Sequence, residues 1–126
     1  MLVVEEVVIR TGGTYDAVDL TPLVSSIVKK YGIRKGSVLI YSVDPLCPIF
    51  TIEFEPKLLS DLVKYVKGLS SSEEDARLLA STVLGCSLVV PVVNGSIAVA
   101  SFQQITLMEL NEKGGSRKVC VVVQGE

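Results

Sequence analysis

The sequence predicts one α+β domain over residues 1–126, built from a mainly antiparallel sheet and about three helices. Two segments carry apolar residues at helical spacing, a third begins with a helix-capping pattern, and several others are runs of Val and Ile typical of strands. Most of the strand-like runs follow the last helix and are separated by short turn signals, which favours antiparallel pairing. A chain of 126 residues also has the length of one ordinary domain.

The N-terminal part predicts a strand and then a helix. Residues 2–10 are rich in β-branched side chains, and Glu5 and Glu6 interrupt both faces, so we expect this strand at a solvated sheet edge. Thr21 is followed by proline, a combination typical of a helix N-cap and first turn. The apolar stripe that follows ends at Gly32, where we expect the helix to stop.

The middle of the chain predicts two strands and two further helices. Strands at 37–43 and 49–54 are separated by a segment with two prolines, which prevents continuous ladder pairing. Residues 57–67 repeat the helical apolar stripe. Ser71 and Glu74 form the S-x-x-E pattern of a capping box, which predicts the start of the last helix.

The C-terminal part predicts two hairpins. Asn94-Gly95 is a strong hairpin signal, and we expect the strands at about 86–93 and 96–101 to pair across it. Residues 103–111 are likewise predicted to pair with residues 117–124 across the glycines between them. These two hairpins would supply most of the sheet.

The charge balance and the residue content exclude several functions. Lys and Arg number 12 against 14 Asp and Glu, so the net charge is −2 and no basic surface for nucleic acid is expected. The chain has no histidine, which removes imidazole from metal binding and from acid–base chemistry. No nucleotide-binding, serine-hydrolase or zinc-protease motif occurs. The acidic first residues do not resemble a targeting signal, so we expect a cytoplasmic protein. We also expect no cofactor.

The sequence is too apolar for an ordinary monomer of its size. Hydrophobic residues make up 48% of the chain, the mean hydropathy is +0.50, and the 31 consecutive residues 78–108 carry no charge. Gly, Pro and Asn interrupt this stretch, which argues against a membrane span. Because so small a domain cannot cover both faces of uncharged strands by itself, we expect a homo-oligomer.

Arg117 and its neighbours are the first candidate for a binding site. Gly114-Gly115-Ser116-Arg117 combines a free backbone with a hydroxyl and a guanidinium fork, a set suited to phosphate or carboxylate. The same residues equally fit a hairpin turn with a solvated arginine. The sequence leaves both interpretations open.

Two carboxylates and two amides complete the candidate set. Glu53 and Glu109 lie in or beside apolar strands, so either is a candidate for a buried carboxylate with a raised pKa. The alternative is a strand-end charge that faces solvent or pairs with the basic residues at 117 and 118. Gln103-Gln104 offers amides that would either recognise a ligand or cap strand ends at a hairpin.

The last third of the chain also carries a series of short motifs. In order, these are Leu84-Gly85, Ser87-Leu88, Pro91-Val92, Gln103, Glu109, Gly114 to Arg117, and Gln124-Gly125-Glu126. The series resembles the C-terminal part of the YjbQ-like family, whose members are described as secondary thiamine-phosphate synthase enzymes. Farther toward the N-terminus the agreement lies in the order of elements, with Leu39 to Tyr41 and Thr51-Ile52-Glu53 as the best anchors.

The resemblance implies a compact α+β subunit that assembles as a homotrimer with its sheets around the threefold axis. It also implies a metal pocket built from histidines, and here the sequence departs from the family. One histidine position aligns with Pro45 and another with Leu78, and the loop that supplies a further histidine is shortened to residues 68–72. The tryptophan of the family aligns with Phe102.

These departures imply that the metal site of the family is absent, because proline and leucine offer no lone pair. Cys47 with Asp44 and Glu53 is the one other donor set, in an unsuitable register, so we expect no protein-held metal. The pocket residues that remain are polar and able to contact an anion. They are Gln103, Glu109, Ser116 and Arg117.

Three hypotheses for the function follow. The first is a homotrimeric, YjbQ-like protein without metal-dependent catalysis or catalytic residues, which keeps a pocket for a small anionic or phosphorylated ligand. The alternative is a weak thiamine-phosphate synthase-type enzyme that uses Glu53, Glu109 and Arg117 without a protein-held metal. The third is an interaction protein whose apolar surface docks a different partner.

Overall fold

The computed structural model describes all residues from 1 to 126, in eight strands and three helices. The strands are β1 (Leu2–Arg10), β2 (Ala17–Asp19), β3 (Lys35–Ser42), β4 (Ile49–Ile52), β5 (Ser87–Val93), β6 (Ser96–Ile97), β7 (Gln104–Met108) and β8 (Ser116–Gly125). The helices are α1 (Thr21–Tyr31), α2 (Pro56–Lys67) and α3 (Glu73–Leu84). All strand pairs are antiparallel, so the predicted α+β domain is confirmed. None of the helices is long and apolar enough to cross a membrane.

The strands form two sheets with one core between them. The large sheet has the order β1-β8-β3-β5-β6 and the small sheet the order β2-β7-β4. One face of the large sheet, α1 and one face of the small sheet share a core of 16 buried residues. A second cluster joins β7 and the residues after it to α2 and α3, through Val66, Ala80, Met108 and Leu110. The small sheet is therefore covered on both faces by the protein itself.

The outer face of the large sheet has no such cover. The strand registers place Val4, Val122, Leu39 and Val89 side by side in one row across four strands. Val4 is 65% exposed and Val89 is 63% exposed. The outer face thus carries an exposed apolar row, with the polar side chains of Glu6, Lys118 and Gln124 on either side of it, and only the inner face is buried.

The helix starts differ in detail from those predicted. The N-cap of α1 is Leu20 and not Thr21, whose hydroxyl oxygen instead accepts a hydrogen bond from the backbone N–H of Ile105. The predicted Ser71 cap is wrong by one residue, because Ser72 accepts from the N–H of Asp75. The predicted stop at Gly32 is confirmed, since this residue takes the left-handed conformation with φ of 68°.

The first predicted hairpin is confirmed and the second is wrong. β5 and β6 pair across Asn94-Gly95, although β6 ends at Ile97. β7 does not pair with β8: it lies at the centre of the small sheet, whereas β8 is central in the large sheet. The physical reason is that both faces of β7 are apolar, so this strand is buried only if a layer covers each face. β4 also ends earlier than predicted, at Ile52.

We predict that Leu107→Ala lowers the free energy of unfolding by about 2–5 kcal/mol. Leu107 is fully buried in β7, between the large sheet and the helical layer, so the substitution leaves a cavity in the main core. Chemical denaturation monitored by circular dichroism measures the effect. Leu79→Ala on the exposed face of α3 is the control, with an expected change within about 0.5 kcal/mol. Equal losses in both variants would contradict the assignment of β7 to the core.

Candidate functional site

Glu109 lies directly after β7 and is fully buried. Its backbone carbonyl accepts from the N–H of Tyr15 at 2.6 Å, and its N–H donates to the carbonyl of Asp16 at 2.9 Å. The segment before β2 therefore holds the backbone of Glu109 on both sides. This fixes the carboxylate between the two sheets.

The carboxylate of Glu109 accepts five hydrogen bonds from four residues. Oε1 accepts from the hydroxyl of Thr11 and from Nε of Arg117, each at 2.6 Å. Oε2 accepts from the backbone N–H of Asn111 at 3.0 Å, from its Nδ2 at 2.8 Å and from the thiol of Cys47 at 3.2 Å. Donors from both sheet layers thus meet on one side chain.

These donors set the ionisation of Glu109. Burial by itself raises the pKa of the carboxyl group, but the hydrogen bonds from Thr11, Arg117 and Asn111 outweigh it and lower the pKa to about 2. The predicted raised pKa is therefore wrong for Glu109, and the alternative of a pair with Arg117 is confirmed, although in a buried place. A carboxylate with both oxygens engaged and so low a pKa is poorly suited to accept a proton at neutral pH.

Arg117, near the start of β8, is held by three acceptors. Nε bonds Glu109, Nη1 lies 3.2 Å from Oδ2 of Asp44, and Nη2 donates to the carbonyl of Lys113 at 2.8 Å. Three of the five N–H groups of a guanidinium are thereby used within the chain. The predicted solvated arginine is wrong, because the side chain is 18% exposed.

Gly114 explains the glycines before Arg117. A Cβ at this position would collide with the backbone carbonyl oxygen of Thr11, so only glycine allows the chain to pass so close. Gly115 and Thr11 then exchange backbone and side-chain hydrogen bonds. The glycines bring the end of β1 to the start of β8, which places the hydroxyl of Thr11 on Glu109.

The buried thiol of Cys47 belongs to the same group. Burial, followed by its hydrogen bond to Glu109, raises the pKa of the thiol well above its usual range. Cys47 therefore stays a neutral thiol that donates to a carboxylate. The structure keeps no thiolate here for a metal or a nucleophilic step.

The structure brings together only part of the predicted site. Ser116 lies beside Arg117 on the exposed surface, where its hydroxyl accepts from Arg10 at 3.0 Å. Glu53 and Gln103 flank the last pair between β4 and β7, at the opposite end of β7 from Glu109. Six residues of extended chain separate Gln103 from Glu109, a distance of roughly 20 Å. Glu53 and Gln103 therefore belong to a different end of the small sheet.

The amide of Gln104 serves the strand end, as one of the two interpretations predicts. Its Oε1 accepts from the backbone N–H of Phe54 at 2.7 Å, just beyond the last residue of β4. The side chain of Gln103 makes no hydrogen bond, so its part in ligand recognition stays a prediction.

A surface pocket of about 360 Å³ opens beside the buried group. Its lining contains two cations and one carboxylate. The lining residues are Val43, Asp44, Pro45, Ser116, Arg117 and Lys118. Lys118 is 61% exposed and its one ion pair, with Glu6, is long at 3.8 Å, so its ammonium group is available to a ligand.

Sequence reasoning missed Thr11 and Asn111. Asn111 follows Glu109 by two residues, and this short spacing is the one local signal that would connect the two side chains. Thr11 lies 98 positions away from Glu109 in the chain, so no local sequence pattern predicts their contact.

The residues at the histidine positions of the family do not fit a metal. Pro45 and Leu78 line different pockets and have no donor atoms in their side chains. No group of three or more His, Cys, Asp or Glu side chains is placed to hold a metal ion. Asp44 and Cys47 do meet near Glu109, but the guanidinium of Arg117 occupies the space between the carboxylates.

An α+β domain with two antiparallel sheets and a buried Glu–Arg pair is thus the class that the fold and the site define. A profile of the family described as "UPF0047 protein YjbQ-like" matches residues 5–126. The chain is 31% identical to a UPF0047 protein of Methanothermobacter thermautotrophicus over 133 residues, covering 97% of this chain and 92% of that protein. It is 33% identical to a UPF0047 protein of Archaeoglobus fulgidus, with 94% and 98% covered. The chain belongs to the YjbQ-like UPF0047 family.

Solved structures support the fold. A YbjQ-like protein of unknown function from Sulfolobus solfataricus superposes with a TM-score of 0.91 at 27% identity, over 100% of this chain and 99% of that one. A hypothetical protein from Aeropyrum pernix gives a TM-score of 0.84 at 23% identity, over 98% of both chains. The second likeness concerns the fold alone.

We predict that Glu109→Gln lowers the free energy of unfolding by about 3–5 kcal/mol at pH 7. The amide N–H group of glutamine would face hydrogen-bond donors such as Thr11, and Arg117 would lose the buried carboxylate with which it pairs. The loss should shrink in acid. The pKa of Glu109 in the folded protein is lowered to about 2 from 4.5, so its contribution is full above pH 4.5 and fades as the pH falls toward 2. Denaturant titrations between pH 7 and about pH 2.5 measure both effects.

Glu112→Gln is the matched control, because this side chain is 83% exposed. It should leave stability at pH 7 and its pH dependence as in the wild type. A Glu109→Gln protein with wild-type stability would contradict the central place of this carboxylate.

Proposed function

We propose that this chain is a cytoplasmic, homotrimeric member of the YjbQ-like family that acts without metal-dependent catalysis and binds a small anionic or phosphorylated ligand. The observation that carries the proposal is the pocket beside Arg117. It gathers an arginine, a lysine and a hydroxyl on the surface of a chain whose histidine positions hold proline and leucine.

The charge in this pocket favours an anion. Lys118 is the cation available to a ligand, because Asp44 and Glu109 already balance the charge of Arg117. Arg117 keeps two N–H groups that no protein acceptor uses. Ser116 and Lys118 flank Arg117 in β8 and point to the other face of the strand, and all three residues line the pocket. Such a set recognises the oxygen atoms of a phosphate by charge-assisted hydrogen bonds.

The chemistry that the pocket lacks supports a binding role. Glu109, the one buried carboxylate, has both oxygens engaged by its own chain, and Cys47 is a neutral thiol. Neither Glu109 nor Cys47 is therefore poised as a nucleophile or as a general base.

The uncovered face of the large sheet supports the oligomer. The apolar row of Val4, Val122, Leu39 and Val89 lies on this face, whereas every other apolar sheet face is covered by the chain itself. Contiguous apolar surface of this kind marks an interface. The number of three copies comes from the family resemblance.

We predict that inorganic phosphate binds the untagged protein in a saturable way and that Lys118→Gln weakens the binding about tenfold, the cost of one charge-assisted hydrogen bond. Isothermal titration calorimetry at low ionic strength measures the affinity. Lys64→Gln, on the exposed side of α2, is the matched control and should bind as the wild type does. Arg117 is left intact because its loss would unpair Glu109.

Three outcomes would overturn this proposal. Unchanged binding in Lys118→Gln would place the anion elsewhere. Stoichiometric transition metal by elemental mass spectrometry would contradict a role without metal-dependent catalysis. Turnover of a thiamine-phosphate precursor by the metal-free protein would favour the alternative, an enzyme that works without a protein-held metal, over a binding protein.

We predict that light scattering finds the wild-type protein at three times the 13.5 kDa mass of one chain. Val89→Glu puts a charge in the centre of the apolar face, where burial without a partner is unfavourable, and should yield the monomer. Leu79→Glu on α3 adds the same charge elsewhere and should leave the assembly intact. A wild-type monomer would contradict the trimer and favour a different partner for this face.

A further inference from the structure

Arg77 is a second arginine with an unusual environment. It lies in α3, and its side chain is only 12% exposed. Its one ion pair, with Glu112, is long at 3.9 Å, beyond hydrogen-bond distance, and Glu112 itself is 83% exposed. The guanidinium forms no hydrogen bond to the protein, and its nitrogen atoms are not sealed from the surface. Arg77 is thus a cation with one weak protein partner, and its guanidinium is open to the pocket that it lines.

Arg77 lines a pocket of about 330 Å³ that lies apart from Arg117. One part of the lining is apolar and comes from Leu46, Leu78 and Leu110. The other part is polar and comes from Glu74, Asn111 and Glu112. A compartment with a weakly paired cation, apolar side chains and carboxylates has the features of a small-molecule site.

The charges of this pocket differ in sign from those beside Arg117. Glu74 and Glu112 are exposed at the surface, whereas Arg77 is largely buried, so the lining carries a net charge of −1. A simple anion would meet Arg77 but also two carboxylates. A simple cation would meet the carboxylates but also Arg77. A molecule that carries both charges can pair its anionic group with Arg77 and its cationic group with the two carboxylates.

Asn111 adds an acceptor for the positive end of such a molecule. Its Nδ2 donates to Glu109 and Asp44, which fixes the amide and leaves Oδ1 without a hydrogen bond. An ammonium group donates three hydrogen bonds and is well served by a carboxylate and an amide oxygen.

We propose that this pocket binds a small zwitterion with an apolar side chain, such as an apolar α-amino acid. The ligand carboxylate pairs with Arg77, its ammonium group lies by Glu74, Glu112 and Asn111, and its hydrocarbon part contacts the leucines. This site does not depend on the anion pocket at Arg117, and the two are tested with different variants.

The test is calorimetry of the full-length protein with L-leucine and with two analogues that each lack one charge, 4-methylpentanoate and 3-methylbutylamine. We expect one L-leucine per chain, with a dissociation constant below about 1 mM, and analogues at least about tenfold weaker. Arg77→Gln should weaken L-leucine binding at least about tenfold. Arg34→Gln is the matched control, an exposed arginine outside the pocket, and should bind as the wild type does.

A stability measurement distinguishes a binding role from a structural one. Because Arg77 is largely buried without hydrogen bonds, Arg77→Met should unfold at a temperature equal to or above that of the wild type while it loses L-leucine binding. A structural arginine would give a lower unfolding temperature, which would contradict the proposal.

Three binding results would overturn it. The first is no saturable signal for L-leucine up to about 10 mM. The second is equal affinity for L-leucine and 4-methylpentanoate, which would show a plain carboxylate site. The third is unchanged L-leucine binding in Arg77→Gln and in the exposed variant Glu74→Gln, which is not expected to disturb folding.

Discussion

The buried carboxylate of Glu109 is the constraint on which the site end of the molecule depends. An ionised group without water is costly, and it persists here because five hydrogen bonds and the cation of Arg117 replace its hydration. Thr11 follows β1 and Arg117 lies in β8, whereas Glu109 itself follows β7, so one side chain fastens the large sheet to the small sheet. Tyr15, whose backbone N–H donates to the carbonyl of Glu109, has a positive φ of 70°. A residue other than glycine adopts this unfavourable conformation only where the surrounding structure holds it there.

This arrangement changes the interpretation of Gly114-Gly115-Ser116-Arg117. Glycines before an arginine are typical of an anion site, yet Gly114 is required by the carbonyl of Thr11, and most of the charge of Arg117 is balanced inside the protein. What this motif offers a ligand is therefore its outer edge, together with Lys118. Arg77 belongs to no motif, and its one partner in the protein is the long ion pair with Glu112. The environment of an arginine, more than the motif that contains it, decides which role it has.

The sequence was sufficient for the features that local physics controls. Apolar periodicity predicted α1 and α2, a capping box predicted α3, and β-branched runs predicted β1 and β5. Glycine predicted the stop of α1. Each of these features depends on neighbouring residues. The partner of β7 was beyond such reasoning, since a strand that is apolar on both faces is compatible with either sheet until the layers are known. The site was predictable to the same degree: Glu109 and Arg117, eight residues apart, were proposed as a pair, whereas Thr11 reaches Glu109 only through the folded chain.

The same network accounts for how this fold exists without the histidines of the family. Pro45, at one histidine position, lies in a turn that Asp44 closes by accepting from the N–H of Leu46 at 2.9 Å. Proline has no N–H to satisfy and restricts the unfolded chain, so it favours this turn. Asp44 in turn contacts Arg117 and Asn111, and the turn is thereby tied to Glu109. The turn at Pro45 is therefore held by hydrogen bonds among protein groups, and none of these contacts needs a metal ion.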